Sequence, residues 1–277
     1  MAITWNSEHS KKTLLFLAIS LYFGLTAPIF SQSFELITRV PIHTCTQLSV
    51  DRAGNLYSAG TDQNIRKYDP SGKLTATYSP TKMGEITLLE SWNSISTIAY
   101  YKDFQEFVLL DRFLTLKSVV PISSDISGFT RLATIASDNN IWLIDDSDFS
   151  LKKWDITYQN LLIHNPLNLQ LKDKNYNFAF IREYQNNLYL IDEGQDLLIF
   201  DILGNYKRSI PITNANNIGM WKSSMYFTMG HQFQLTDLYT GSHKTLALEF
   251  QPNDLIIMSD RHAYVVSKDQ LAIYLIK

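Results

Sequence analysis

Six polar residues recur along the chain, one in each of six segments of roughly 40 residues. Each is predicted to stand directly before an apolar strand that faces a common centre. Their oxygen atoms could bind a polar ligand or a hard cation if the strands converge. Polar residues that simply line a water-filled channel would show the same pattern, so that alternative stays open. The six candidates are Thr46, Asn93, Arg131, Asn177, Asn217 and Asp254.

Other residue types that could do chemistry occur without the spacing that chemistry needs. The acidic cluster at residues 145–148 lacks the alternation, glycine and distal Glu of a calcium loop, so we interpret Asp111, Asp145 and Asp192 as turn formers after second strands. The six histidines show no metal-ligand spacing, and Gly-x-Ser-x-Gly is absent. The sequence therefore gives no positive support for catalysis, and it predicts neither a cofactor nor a metal.

An aromatic segment is the more suggestive feature. Residues 100–107 depart most from the repeat, and function is often placed on loops that deviate from a scaffold. Aromatic side chains are also enriched in the cores of protein interfaces. We therefore predict that Tyr100, Tyr101 and Phe104 bind a partner. Strand alternation implies that about half of such aromatics face a neighbouring strand, so core packing is the alternative.

The elements that position these residues follow from the prolines. Six of the eight recur at nearly even intervals: Pro41, Pro80, Pro121, Pro166, Pro211 and Pro252. A period of roughly 40 residues is typical of β-propellers, in which each repeat forms one four-stranded blade. Since proline cannot donate a backbone hydrogen bond, the β-branched runs that end at Pro41, Pro121 and Pro211 are predicted to be outer strands.

Two turn signals recur inside the repeats. An Asn opens the predicted second strand at Asn55, Asn140 and Asn187, where its tolerance of left-handed backbone suits a tight hairpin. An Asp ends the predicted third strand, usually after an aromatic, and its carboxylate can accept N–H groups of the next turn. These residues are Asp69, Asp155, Asp201 and Asp237. The segment at about 81–121 lacks this aromatic-Asp pair.

With this period and turn chemistry, residues 34–277 resemble the six-bladed β-propeller superfamily that includes NHL-repeat and TolB-like proteins. The resemblance is at the level of the fold. It implies an all-β chain of four-stranded antiparallel blades around a central channel. The Gly-His half of WD40 repeats and the paired glycines of kelch repeats are absent.

The repeat also predicts how the ring closes. Only three strands are predicted after residue 253, and residues 34–41 from the other end of the chain supply the fourth. Such an exchange fastens both ends and removes open sheet edges. The predicted blades cover about 43–80, 81–121, 122–166, 167–211, 212–252, and 253–277 plus 34–41.

Residues 1–31 are predicted to be a signal peptide. Lys11 and Lys12 precede the apolar residues 14–25, and a cleavage region follows near Ser31. Because the apolar stretch 13–30 approaches the roughly 18 residues of a membrane span, an uncleaved anchor is the alternative. The single cysteine, Cys45, lies too far beyond this segment for lipoprotein acylation, and it cannot form an internal disulfide. Residues 32–277 are then the propeller.

Composition limits the function classes. The formal net charge is −3 and the basic residues are scattered, so nucleic-acid binding is not predicted. We predict a periplasmic or secreted monomer, without a stable membrane span after cleavage, that acts as a non-catalytic scaffold for another envelope or secreted protein. The alternative is a propeller enzyme or a receptor for a small ligand or metal at the channel mouth. A lactonase of the gluconolactonase type would need acidic and Asn side chains around a divalent cation, and only Asp254 of the six is acidic.

Overall fold

The structure is a computed structural model that describes residues 32–92, 96–172, 175–193, 196–212 and 214–277. The predicted signal peptide, residues 1–31, lies outside these ranges. The described residues form 24 β-strands and two 3-10 helices of three residues each, Lys102–Phe104 and Leu167–Leu169. Within these ranges, no helix has the length and apolar character required to cross a membrane.

The strands form six four-stranded antiparallel sheets, which are the blades of a propeller, as the sequence predicts. Blade 1 contains β2 (Cys45–Val50), β3 (Leu56–Gly60), β4 (Ile65–Tyr68) and β5 (Leu74–Tyr78). Blade 2 contains β6 (Ile86–Glu90), β7 (Ser96–Tyr101), β8 (Glu106–Asp111) and β9 (Leu116–Pro121). Blade 3 contains β10 (Thr130–Ile135), β11 (Ile141–Asp145), β12 (Ser150–Asp155) and β13 (Asn160–Pro166).

The remaining three blades complete the ring. Blade 4 contains β14 (Phe178–Tyr184), β15 (Asn187–Asp192), β16 (Asp196–Asp201) and β17 (Tyr206–Pro211). Blade 5 contains β18 (Asn216–Trp221), β19 (Ser224–Met229), β20 (Gln232–Asp237) and β21 (His243–Leu246). Blade 6 contains β22 (Leu255–Met258), β23 (His262–Ser267), β24 (Gln270–Ile276) and β1 (Phe34–Pro41).

The first strand of each chain repeat lies at the centre, and the inner strands of blades 4, 3, 2, 1, 6 and 5 contact one another in that order. Because successive strands run in opposite directions, the inner strands all begin at one face of the ring. We call this the front face; it carries the loops into the inner strands and the loops between second and third strands. The back face carries the loops from first to second strands and from third to fourth strands.

Blade 6 is completed by the N-terminal strand. β1 pairs with β24 in an antiparallel register that places Phe34 opposite Ile276 and Val40 opposite Leu271, as predicted. The Ile42 N–H then donates to the Asp269 carbonyl at 2.8 Å as the chain leaves this blade for blade 1. Both ends of the propeller are therefore held in one sheet.

The core lies between the blades, because each sheet packs both of its faces against neighbours. In β11 all five residues are buried, which matches the continuous apolar run expected of a strand covered on both sides. Trp142 and Trp154 are fully buried and belong to different clusters, one on each side of blade 3. The repeat is rich in aromatics because these large side chains fill the wedges between radial sheets.

Buried carboxylates join neighbouring blades as well. Glu183 of blade 4 accepts hydrogen bonds from blade 3: from the Ser137 N–H at 2.8 Å, the Ser137 hydroxyl at 2.6 Å and the Trp142 indole N–H at 2.6 Å. Within blade 3, Asp145 accepts from the backbone of Gly128 and from the Lys152 ammonium at 2.7 Å. These side chains satisfy polar groups that would otherwise be buried without partners.

In blades 1 to 5 the third strand ends in a turn that is closed by an Asp. Each carboxylate accepts a hydrogen bond from the backbone N–H two residues later. For example, Asp69 accepts the Ser71 N–H, and Asp201 accepts the Leu203 N–H. Blade 2 follows the same rule, because Asp111 ends its third strand, β8, and accepts the Phe113 N–H at 2.8 Å. The prediction that Asp111 follows a second strand is therefore wrong. A leucine replaces the aromatic before it, which hid the equivalence.

Ring closure makes a prediction about the outer strand of blade 6. Val40 packs against the cluster that includes Tyr68 and Leu271, whereas Leu36 on the same strand is 40% exposed. We expect Val40→Asp to lower the free energy of unfolding by about 3 kcal/mol, because a carboxylate would enter an apolar contact. The matched change Leu36→Asp should cost less than about 0.5 kcal/mol. Thermal and denaturant unfolding measure both values; equal stabilities would contradict the packing of β1.

The Asp145–Lys152 pair makes a prediction about acid sensitivity. Burial raises the pKa of Asp145, but the hydrogen bonds from Lys152 and Ser147 outweigh it and hold that pKa well below its usual range. A carboxyl with a lowered native pKa stabilises the fold above its unfolded pKa, and this contribution is lost as the pH falls. We expect Asp145→Asn to cost about 2 kcal/mol at neutral pH, since the buried Lys152 loses one of its two carboxylate partners and keeps Asp148 at 2.9 Å.

The cost of Asp145→Asn should also shrink as the pH falls below about 4, the ordinary pKa of an unfolded Asp. The exposed residue Asp125 provides the matched control, because Asp125→Asn should leave both stability and its pH dependence unchanged. Denaturant unfolding at a series of pH values gives the comparison. A cost for Asp145→Asn that is independent of pH would refute the assigned ion pair.

Candidate functional site

The inner strands of all six blades enclose a central channel of about 640 Å³. Half-buried apolar side chains such as Leu48, Phe180 and Ile218 form much of its wall. The volume falls in the range of small-molecule sites, which are mostly apolar with a few polar groups. The channel is therefore the first candidate site.

Five of the six predicted ring residues lie at the front-face ends of inner strands, within or directly before β2, β10, β14, β18 and β22: Thr46, Arg131, Asn177, Asn217 and Asp254. The sixth, Asn93, lies outside the described residues. Its predicted place before an inner strand is wrong, because β6 is the inner strand of blade 2 and ends at Glu90. The apolar runs at 86–90 and 96–101 are alike in length, and periodicity does not tell which of them is innermost.

Four ring residues connect neighbouring blades. Arg131 of blade 3 donates to the Asn177 side-chain oxygen of blade 4 at 3.1 Å, and to Asp146 at 2.6 Å. Asn217 of blade 5 donates to the Asp254 carbonyl of blade 6 at 2.8 Å and accepts the Ile256 N–H at 3.2 Å. These bonds give the residues a structural role at the front face, and Thr46 is exposed there.

The ring does not bring several acidic groups together. Asp254 is 6% exposed, and its carboxylate accepts the Gln251 N–H at 2.7 Å within its own loop. Throughout the part of the chain that the structure describes, no group of three or more His, Cys, Asp or Glu side chains is arranged to hold a metal ion.

An arginine deeper in the channel was not singled out from the sequence. Arg182 of β14 is 28% exposed, and its Nη1 lies 3.2 Å from Oε1 of the fully buried Glu90 of β6. Glu90 also accepts the Thr134 hydroxyl at 2.7 Å and the Ile135 N–H at 3.0 Å. Burial raises the pKa of Glu90, and the charge of Arg182 opposes that rise. The guanidinium is thus fixed by groups from two other blades.

A tyrosine from blade 5 also lines this channel, because its ring lies over a glycine of the neighbouring inner strand. Tyr226 of β19 pairs with Gly219 of β18, and a Cβ at Gly219 would lie only 2.1 Å from the phenol oxygen. Only glycine therefore lets this ring lie over the inner strand at position 219. The phenol accepts the Met258 N–H at 3.2 Å, and burial raises the pKa of Tyr226 to about 12, so it stays protonated. Tyr226 lines the channel although only 2% of it is exposed, and its O–H can donate a hydrogen bond.

The predicted partner-binding residues separate into two groups. Tyr100 and Tyr101 are 1% and 2% exposed, which matches the alternative of core packing rather than contact with a partner. They are the last residues of β7, where alternate side chains pack toward blades 3 and 1. Phe104 lies in the following 3-10 helix and is 39% exposed. It alone of the three is accessible.

Phe104 has two exposed apolar companions on the front face. Met83 is 69% exposed and precedes Gly84, whose position lies directly against the Phe104 ring. Phe129 is 42% exposed and precedes Thr130. We call these three side chains, Met83, Phe104 and Phe129, the Phe104 surface. They come from three successive front-face loops around blade 2.

Gln105 joins two of the three loops of the Phe104 surface. Its side chain donates to the Tyr100 hydroxyl at 2.8 Å and to the Thr130 carbonyl at 3.0 Å, and it accepts the Thr130 N–H at 2.7 Å. Gln105 itself has φ 50°, which ends the 3-10 helix. The loop that carries Phe104 is therefore bonded directly to the strand entrance that carries Phe129.

A second set of exposed apolar residues lies on the back face and was also missed. In blades 2 to 5 the Asp-closed turn displays a large apolar side chain, which is between 62% and 81% exposed. These residues are Phe113, Tyr158, Leu203 and Tyr239. In the sequence, each of these apolar residues follows the turn Asp by two or three positions. The recurring Asp predicts the backbone turn, and it does not predict whether the next side chains are exposed.

Comparison with known proteins supports the fold and nothing finer. No protein-family model matches the chain, and no curated protein matches it. Among solved structures, a streptogramin B lyase is similar with a TM-score of 0.60 and 12% identity, covering 89% of this chain and 97% of the lyase. A catalytically inactive virginiamycin B lyase from Staphylococcus aureus, determined with quinupristin, gives a TM-score of 0.61 and 10% identity, over 88% and 99% of the two chains. At these identities the likeness is one of fold.

Proposed function

We propose that this propeller is an exported, non-catalytic module that binds another envelope or secreted protein at the Phe104 surface. The observation that supports it is the pinned, exposed apolar cluster of Met83, Phe104 and Phe129 on one face of a closed ring. Methionine and aromatic side chains are the residue types enriched in interface cores. A surface held in its binding shape also loses little entropy on association.

Charged groups border the surface and would orient a partner. Lys82 lies over the Phe104 ring at 5.5 Å from its centroid and pairs with Glu106 at 3.0 Å, while its own side chain is 63% exposed. A partner that inserts an apolar side chain beside Phe104 would meet this ammonium at the rim. An acidic residue next to the inserted side chain would complement it.

Several carboxylates that a catalytic proposal would require already have structural partners. Glu90, Glu183 and Asp145 each accept hydrogen bonds from buried donors. Asp254 is bonded within its loop. These bonds favour a binding role over acid–base chemistry at the channel mouth. The export part of the proposal is supported by the sequence pattern of residues 1–31.

The partner surface is tested by exchanging one apolar side chain on each of two opposite blades. Phe104→Asp should remove partner binding, because it places a charge at the centre of the proposed contact. Met229→Asp is the matched control: it lies on blade 5, across the ring, and Met229 is 38% exposed. Crosslinking in intact cells, followed by quantitative mass spectrometry, should show one envelope protein whose recovery falls at least about tenfold with Phe104→Asp alone.

That protein must then bind the purified propeller in a titration, with at least about tenfold weaker affinity for Phe104→Asp and unchanged affinity for Met229→Asp. Equal recovery with both variants would contradict the proposed surface. So would a recovered protein that fails to bind the purified chain.

Export is tested on the N-terminus of the mature protein. Cleavage should leave a chain that begins near Gln32, because the predicted cleavage region ends there. Mass spectrometry of the intact protein purified from its native cells gives the mature terminus, and fractionation gives its compartment. A cytoplasmic chain that still carries residues 1–31 would contradict export, and a membrane-bound chain that keeps them would favour the anchor.

A further inference from the structure

The Arg182 guanidinium has more donors than the protein uses. A guanidinium carries five N–H donors in a planar fork, which matches the two oxygens of a carboxylate. Of the described residues, Glu90 is the one that the structure pairs with Arg182, through Nη1. Arg182 itself lines the channel, and its side chain is 28% exposed. An anion in the channel could therefore bind without breaking the existing pair.

Glu90 pairs with Arg182 from the protein interior and not from the channel. It is fully buried and is held by Thr134 and Ile135 of blade 3, so it positions the arginine rather than competing from solvent. The guanidinium is consequently oriented before any ligand arrives. A charged donor that is already oriented gains more from a ligand than a mobile one does.

Tyr226 supplies a second donor of a different kind. Its phenol reaches the channel past Gly219, and it accepts one backbone hydrogen bond from Met258, which leaves its own O–H to donate. Arg182 and Tyr226 belong to the neighbouring blades 4 and 5, and both line the channel. A carboxylate between them would accept from both.

Among the described residues of the channel wall, four are basic (Arg52, Arg131, Arg182 and Lys222) and three are acidic (Asp51, Glu183 and Asp260), so the wall carries no excess of negative charge. Among the acidic residues of the wall, the Asp51 carboxylate accepts four hydrogen bonds within its own turn, and Glu183 accepts three from blade 3. Arg52 and Lys222 contribute positive charge near the back face, where Asp260 is the remaining acidic lining residue among those the structure describes. The rest of the wall combines apolar side chains with neutral polar ones such as Gln47 and Asn217.

We propose that the channel binds a small organic carboxylate, with its charged group between Arg182 and the Tyr226 hydroxyl and its apolar body against the inner strands. The site is separate from the Phe104 surface, and neither proposal depends on the other. A planar carboxylate fits the free edge of the guanidinium, and an apolar body fits walls such as Leu132 and Phe180.

Titration calorimetry with hexanoate, benzoate and phenylacetate tests this site, and the neutral hexanamide, benzamide and phenylacetamide serve as matched ligands. At least one acid should bind, and its amide should bind at least about tenfold more weakly, because the amide cannot pair with the guanidinium. Binding of no acid up to about 10 mM, or equal binding of acid and amide, would overturn the proposal.

Three variants locate the bound group. Arg182→Gln should weaken acid binding at least about tenfold, and Tyr226→Phe should weaken it about threefold or more. Arg39→Gln, on the outer strand β1, should leave it unchanged. Because Arg182→Gln leaves Glu90 buried without its counter-ion, circular dichroism must show that this variant is folded. If it is not, Tyr226→Phe decides. A folded Arg182→Gln, or a Tyr226→Phe, with wild-type affinity would refute the site.

Discussion

The pairing of Phe34–Pro41 with Gln270–Ile276 is the constraint on which the rest of the structure depends. A ring of radial sheets has no stable shape until its last sheet is complete, because an open sheet edge can shift or pair elsewhere. The N-terminal strand completes blade 6, and the chain then passes directly into blade 1. Closure in this form fixes the number of blades, and with it the width of the channel between the inner strands.

Both candidate sites are built on contacts between blades, so they depend on that closure. The channel arginine is positioned by Glu90 of blade 2, which blade 3 holds in turn. The Phe104 surface keeps its shape because Gln105 of blade 2 bonds to Thr130 of blade 3. A change in the angle between neighbouring blades would move the members of each site apart. The fold therefore contributes rigidity, and the residues proposed to bind ligands lie where neighbouring blades meet.

The repeat period, the prolines and the missing last strand were enough to predict the fold, since each depends on local backbone chemistry. Assignments that depend on the order of strands within a blade were less secure. Asp111 was assigned to the wrong strand because blade 2 lacks the aromatic that marks most other repeats, and the inner strand of blade 2 was misplaced because two apolar runs are alike in length. The pair of Glu90 and Arg182 could not be found from the sequence. The two residues are brought together only by the closed ring.

Native-state hydrogen exchange of the whole chain tests closure most directly, because exchange reports how often each backbone hydrogen bond opens. If the N-terminal strand completes blade 6, amides in Phe34–Pro41 will be protected to about the same degree as those in Gln270–Ile276, and the two strands will lose protection together as denaturant is added. Rapid exchange of Phe34–Pro41 beside a protected Gln270–Ile276 would show that the ring is not closed in this way, and the account of both sites would fall with it.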